Sequence, residues 1–298
     1  MDTVRIGYVK YLNTLPLVEG LGVCRDLELV AAVPSKLAPM LRGGEVEIAL
    51  ASLVDLAKSA ESDVPLALLP AGMIGCDGPT LTVRLFSRMP LEQVMRLHAD
   101  TDSHTSVILA QLLLRKRFGA KPIVVDFDAR ERIAVGEGGD EDGEWPETLL
   151  MIGDKVVTDS PPAVRYPYQL DLGEAWHAWT GLPFVYAVWM CRAADAEGQR
   201  VQAAVALLDR QRLRNTARLD WIVQRYATER RWPRDLARRY VEELLRYAVG
   251  PREREAVERF LSECASEGLL PVCAAKWVEG VFTTEDTERY RAMQKSGL

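Results

Sequence analysis

Residues 4–60 read VRIGYVKYLNTLPLVEGLGVCRDLELVAAVPSKLAPMLRGGEVEIALASLVDLAKSA, and three times a short strand-like run gives way to a helical pattern. VRIGYV is followed by PLVEGL, LELVAAV by SKLAPMLRGG, and VEIALAS by LVDLAKSA. This rhythm predicts βαβ units and a parallel sheet, and so an α/β fold. Each helix follows a small polar residue, Thr14, Ser35 or Ser52, whose side-chain oxygen can satisfy free N–H groups of a first turn.

Further along the chain the alternation continues. After the turn GCDGP at 75–79, TLTVRLFSR has strand periodicity, and Pro90 opens PLEQVM as a first-turn proline. Arg96 to Ala99 reads as a strand and DTDSHTS as a polar turn. TSVILAQLLLRKRF reads as a helix, with Lys116 and Arg117 complementing its dipole and Gly119 ending it. KPIVVDF reads as a strand, TLLMIGDKVV as a strand and then a turn, DLGEAWHAWTGLP as a short helix stopped at Gly181 and Pro183, and FVYAVWMC as a buried strand. GEGGDEDGEWPE at 136–147 is acidic, glycine-rich and without pattern, which predicts a surface loop. From Glu197 onward come helices whose arginines are interleaved with Asp and Glu, as on a solvated face. Two α/β sets and a helical tail predict two lobes with a cleft, faced by polar residues at strand ends and helix starts.

Composition narrows the function. The 298 residues, 48% of them apolar, suffice for a sizeable core. A net charge of -6 argues against nucleic acid, which needs clustered Lys and Arg. No apolar run is long enough to span a membrane, and MDTVRIGYV lacks the basic and apolar regions of an export signal, so a cytoplasmic protein is expected. Cys24, Cys76, Cys191, Cys264 and Cys273 are odd in number and never spaced CxxC; buried reduced thiols are expected, with no metal. GxSxG, Walker A, HExxH and the dinucleotide GxGxxG are absent, and GEGG at 136–139 lies in the acidic loop.

What is left is a set of polar turns: Asn13 and Thr14, Ser35, Ser52, Asp77 and Gly78, Thr82, Ser103 to Ser106 (with His104 and Thr105), and Gly153 and Asp154. Taken singly, each reads as the cap or turn residue of its own element. Taken together, hydroxyls, amides and helix-start N–H groups make a lining for an anion, a carboxylate above all, without lysine or arginine. Asn13 and Thr14 compete for one capping position, and Lys10 and Arg84 are further candidates for a carboxylate.

RIGYVKYLNTLPL, DGPTLTVRLFSR, SHTSVILAQLLL, LLMIGDKVV and DLGEAWHAWTGLPFVYAVW follow one another in the order seen in chorismate dehydratases of the futalosine route to menaquinone, which this chain resembles from about residue 4 to 192. The resemblance implies a type II periplasmic-binding-protein-like fold with a C-terminal helical segment, its lobes joined by a double crossover. One lobe is then 1–86 plus 188–298, and the other 87–187. It further implies a cytoplasmic enzyme without metal or organic cofactor that removes water from chorismate, a dicarboxylate, to give 3-[(1-carboxyvinyl)oxy]benzoate. Asn13 of YLN matches the family's active-site asparagine, and Thr82 stands where DGPxxS has serine. His104 stands in the place of the arginine of SRTS, and His98 in that of an apolar residue.

An amide cannot act as a base, so the enolpyruvyl carboxylate of the substrate is expected to take the ring proton while Asn13 and Thr82 position it. Ser35, Ser52, Gly78, Ser103, His104, Thr105, Ser106 and Asp154 are expected to bind substrate, and Asp154 or Asp77 is the alternative base. Other readings are a 1,4-dihydroxy-6-naphthoate synthase-type lyase and a non-catalytic small-anion binding protein; YLNxxP and WTGLPFV favour the dehydratase.

Overall fold

A computed structural model describes residues 3–100, 102–127 and 145–278. The expected acidic loop at 136–147 lies outside them except for its last three residues. Strands β1 (Val4–Tyr8), β2 (Leu27–Ala31) and β3 (Ile48–Ser52) pair in parallel with β1 in the middle. Between them run the short helix α1 (Leu15–Val18) and helix α2 (Pro34–Arg42), and α3 (Val54–Ser59) follows. The predicted βαβ rhythm is therefore present.

Strand β4 (Leu66–Cys76) comes next, after which residues 77–82 carry the chain into a second sheet. That sheet holds β5 (Val83–Ser87), β6 (Arg96–Asp100), β7 (Ile123–Phe127), β8 (Thr148–Ile152) and β9 (Tyr168–Asp171), in the order β7-β6-β8-β5-β9. Helix α4 (His104–Phe118) connects β6 to β7. The helix Leu172–Thr180 and the turn 181–183 lead back into β10 (Phe184–Arg192), which inserts antiparallel between β3 and β4. A short β11 (Leu245–Arg246) completes the first sheet, ordered β11-β4-β10-β3-β1-β2. The architecture is thus the expected α/β arrangement of two sheets with a helical C-terminal segment.

The expected borders at 86/87 and 187/188 both fall inside strands. Val83 to Phe86 pair within the second sheet, and Phe184 to Ala187 already pair with β4 or β3. The chain passes between sheets at turns, where no ladder has to be cut. Strand β4 has no counterpart in the sequence reading, and it carries Pro70, a residue that sheets confine to edges and bulges. The strand accommodates it with a bulge: Trp189 of β10 pairs with Leu69 and Val188 with Met73, which leaves 70–72 outside the ladder.

Burial on both faces holds the first sheet. Ile6, Ile48, Leu50, Leu69 and Trp189 pack on one side with Val201, Val205 and Leu208 of the tail helix Gln199–Thr216. On the other side Ala49, Ala51, Leu68 and Met190 join Leu37 and Leu41 of α2, Leu109 and Leu113 of α4, and Phe260. Leu85, Leu97 and Leu150 of the second sheet belong to this same cluster, so one continuous core underlies the double crossover. Each fully buried leucine contributes on the order of 1.5–3 kcal/mol.

The capping expectations are largely replaced. Val33 precedes α2 and Ser35 lies within its first turn; α3 starts after Leu53 without a side-chain cap from Ser52. Thr14 Oγ1 instead turns to the backbone, its one proton shared between the carbonyl oxygens of Val9 at 2.6 Å and Tyr11 at 2.7 Å. Pro90 precedes a single turn, Leu91–Gln93, rather than opening a longer helix. Ser103 does cap α4, accepting from Ser106 N at 3.2 Å. All five cysteines are free; Cys76, Cys191 and Cys264 are buried, whereas Cys24 and Cys273 are partly exposed. Among the described residues no helix is long and apolar enough to cross a membrane.

Candidate active site

The turn after β1, the crossover 77–82, the start of α4 and the loop after β8 converge on a cleft of about 650 Å³, solvent at its mouth included. Its polar lining comprises Tyr11, Asn13, Thr14, Ser52, Thr80, Thr82, Asp102, Ser103, Thr105, Ser106, Tyr186 and Tyr240.

The crossover wall is built around Asp171. This buried carboxylate caps the helix Leu172–Thr180 through Gly173 N (3.1 Å) and Glu174 N (3.2 Å). It also accepts from Thr80 N at 2.9 Å and Leu81 N at 2.7 Å, and Arg84 Nη2 lies 3.6 Å away. The grip holds Leu81 at φ 71°, a left-handed conformation that costs a non-glycine residue about 1–2 kcal/mol. Gly173 has to be glycine: a Cβ there would lie 2.1 Å from Thr80 Oγ1 and 2.6 Å from the Gly78 carbonyl oxygen. The result is Thr82 presented to the cleft in a rigid frame.

The opposite wall is the turn Leu12–Thr14. Leu12 N donates to Asp154 Oδ2 at 3.3 Å, fastening the turn to the loop after β8. Asn13 Nδ2 donates to the Tyr240 hydroxyl at 3.3 Å, and Thr82 Oγ1 shares a hydrogen bond with that hydroxyl at 2.6 Å. Asn13 and Thr82 therefore meet through one phenol. Tyr240 is fully buried and stacks on Trp232, ring centroids 4.9 Å apart. Burial drives its phenol well above the ordinary range. Asn13 Oδ1 is buried with no hydrogen-bond partner from the protein.

At the third side, Ser103, Thr105 and Ser106 surround the N-terminus of α4, whose 15 residues give it a full dipole. Thr105 Oγ1 accepts from Val54 N at 3.4 Å and ties α4 to α3. Asp102 lies beneath, its Oδ2 accepting from Lys155 Nζ at 3.2 Å and from Tyr11 OH at 3.4 Å; Lys155 Nζ is also 2.5 Å from Asp100 Oδ2. Burial raises the Asp100 carboxyl, with Lys155 opposing. Among the described lining residues there is no lysine or arginine, so hydroxyls and helix-start N–H groups are what the cleft offers an anion. Thr80 Oγ1 joins the Tyr186 hydroxyl at 2.7 Å and the Cys76 thiol at 3.1 Å. Burial pushes that thiol up to about 12, so it stays protonated and is no nucleophile at neutral pH.

Of the residues expected at the site, Asn13, Thr82, Ser52, Ser103, Thr105 and Ser106 line the cleft. Ser35, Gly78, His104 and Asp154 do not. Pro34 lines it in place of Ser35, and Gly78 shapes the crossover at φ 114°. His104 points away: its Nδ1 lies 2.8 Å from Asp55 Oδ1, in a separate small cavity that Arg42 and Lys58 also border. Asp154 holds the Asn13 turn from behind. Burial raises its carboxyl, opposed first by Arg230 and then by Leu12 N–H.

Asp77 accepts from Arg252 Nη1 at 2.7 Å and does not line the cleft. Arg84 turns to Asp171 and Gln169, Lys10 is exposed, and His98 Nδ1 sits 3.3 Å from the Thr148 carbonyl oxygen. Sequence reading missed Tyr11, Thr80, Asp102, Tyr186 and Tyr240. Tyr186 and Thr80 stand inside quoted motifs; Tyr240 stands in none. The segment Arg239–Leu244 is a π-helical turn, a feature often found at functional sites and visible only in three dimensions.

A family model described as menaquinone biosynthesis matches residues 4–266. A curated chorismate dehydratase from Thermus thermophilus is 32% identical over 201 residues, 63% of this chain and 69% of that protein. One from Campylobacter jejuni is 24% identical over 271 residues, 88% of this chain and 98% of that protein. Among solved structures, a Candida albicans gene product described as having the generic periplasmic binding protein fold superposes with a TM-score of 0.64 at 12% identity, covering 95% of this chain and 99% of its own. That last likeness concerns the fold alone.

Proposed function

The chain belongs to the menaquinone biosynthesis family, and we propose that it acts there as a chorismate dehydratase, a carbon–oxygen lyase, by a substrate-assisted elimination. In this reaction a ring C–H bond and the neighbouring C–OH bond of chorismate break, and the ring becomes aromatic. Aromatisation supplies the driving force, so the protein's task is to hold two carboxylates, orient the ring and stabilise the departing oxygen.

The observation that carries this reading is the meeting of Asn13 and Thr82, neither of them ionisable, at a cleft rimmed by hydroxyls and the start of α4. Asp154 and Asp77 lie outside the lining, and Asp102, within it, is engaged by Lys155 and Tyr11. The enolpyruvyl carboxylate of the substrate is the base that fits this arrangement. It takes the ring proton while Ser103, Thr105, Ser106 and the α4 dipole balance the second carboxylate.

Incubation with chorismate tests the proposal. The expected outcome is an ultraviolet spectrum turning aromatic and a product lighter by one water on mass spectrometry. Chorismate recovered unchanged would favour a binding protein, and turnover of cyclic dehypoxanthine futalosine instead would favour the naphthoate synthase-type lyase.

A further inference from the structure

The hydroxyl of Tyr240 has two neighbours, and their chemistry settles which way its proton points. Asn13 Nδ2 carries only N–H, so at 3.3 Å the phenol oxygen has to accept from it. The phenol proton then needs an acceptor of its own, and Thr82 Oγ1 stands at 2.6 Å. If Thr82 donated instead, the phenol oxygen would accept twice and its own proton would be left buried without a partner, at a cost of about 1–3 kcal/mol. The satisfied order therefore runs from Asn13 N–H to Tyr240 and from Tyr240 O–H to Thr82, and it turns the Thr82 proton into the cleft. At the other end of the chain, Asn13 Oδ1 is an acceptor that the protein leaves unpartnered. The cleft thus presents one outward donor and one outward acceptor, linked through one phenol.

We infer that Tyr240 is a positioning residue for the dehydration, aligning Thr82 to donate and Asn13 Oδ1 to accept at the hydroxyl that leaves. A hydroxyl about to depart is complementary to such a pair, since it donates through its own proton and accepts on its lone pairs. As the C–O bond breaks, its electron pair moves onto oxygen and the hydrogen bond from Thr82 strengthens. The electrons of the ring C–H bond form the new double bond, the substrate carboxylate takes the proton and passes it to the departing hydroxide, and that hydroxide leaves as water. No proton leaves Thr82 or Tyr240 for good, in keeping with the raised phenol. Tyr240 touches no reacting atom and acts through Thr82 and Asn13.

The inference rests on the dehydratase reading, and the experiment separates the two. Chorismate turnover is measured for wild type, Tyr240→Phe, Thr82→Val and the double variant, with thermal melts confirming that each is folded. Phenylalanine keeps the stack on Trp232 and removes only the oxygen. Expected are a kcat lowered about 10–100-fold by Tyr240→Phe with KM within about threefold of wild type, and a loss of about 100–1,000-fold for Thr82→Val. The double variant is expected to lose clearly less than the product of the two single losses, because part of the Tyr240 effect runs through that hydroxyl and the rest through Asn13. An unchanged kcat for Tyr240→Phe, an effect confined to KM, or losses that multiply in the double variant would each overturn the role of Tyr240 alone. A wild type that leaves chorismate intact would overturn the dehydratase reading and this role together.

Discussion

The two walls that bring Thr82 and Asn13 to Tyr240 are both held by an aspartate from beyond the crossover, yet they are held differently. Asp171 receives four backbone N–H groups, from Thr80, Leu81, Gly173 and Glu174. Asp154 receives one backbone N–H, that of Leu12, and burial raises its carboxyl against the opposing Arg230 guanidinium, Leu12 N–H and Trp232 indole. A carboxylate that collects four backbone N–H donors can sustain a strained residue such as Leu81; one that collects a single backbone N–H tethers a turn. The difference teaches that a buried aspartate near a cleft is to be judged by what its oxygens accept before it is cast as a base.

Replacing the strong clamp is expected to have the largest effect on the fold. Asp171→Ala strands several buried N–H groups and frees Leu81, so a loss of roughly 3–5 kcal/mol is expected, read as a large drop in melting temperature together with loss of turnover. A melting temperature near that of wild type would mean that the crossover is not held by this carboxylate. Next is Asn13→Ala, which removes a group from the cleft without touching either clamp. A fall in kcat of about 100–1,000-fold is expected, with stability changed by about 1 kcal/mol or less. Retained turnover would move the chemistry to another wall.

The smallest effect is expected for Asp154→Asn, whose amide oxygen still accepts from Leu12. Turnover should stay within about tenfold of wild type; abolished turnover with chorismate binding intact would instead make Asp154 the base. The pH dependence of stability has a definite sign. A carboxyl raised by folding binds its proton more tightly in the folded state. Its stabilising contribution is therefore complete below the unfolded value of about 4 and is lost as pH rises through the folded one. Asparagine mimics the protonated acid. The melting temperature of the variant minus that of wild type should hence rise between about pH 4 and 7 in calorimetry. A difference that stays flat or falls would show that Arg230 and Leu12 outweigh burial.

Much of the fold is legible along the chain, because strand and helix periods are local. The runs 4–9, 27–33, 46–52, 80–88 and 184–191 announce strands, and Gly119 and Gly181 end helices at φ 68° and 70°. Strand β4 was not read, and the bulge that tolerates its Pro70 depends on a partner strand more than a hundred residues away. At the site, Asn13 and Thr82 were found through motifs that surround them. DLGxxWxxWTGLPFV, the most distinctive of these, is chiefly structural. Asp171 grips the crossover, and the Trp176 indole donates to the Pro183 carbonyl at 2.9 Å. Trp176, Phe184 and Phe260 pack edge to face. His104 was drawn toward the cleft by its neighbours in SHTS. The structure turns it the other way, to Asp55, while Ser103, Thr105 and Ser106 line the cleft.

By itself, then, the sequence determines the α/β class, the double set of elements, a net negative charge with no apolar run long enough for a membrane-spanning helix, and the residue types available to the cleft. Those properties follow from composition and from patterns a few residues long. Only the tertiary structure decides that Tyr240, 158 residues from Thr82, joins it to Asn13, and that Asp154 and His104 stand behind the cleft. The direction of a hydrogen bond depends on which donors and acceptors are near in space, and strand order, not sequence distance, sets that proximity.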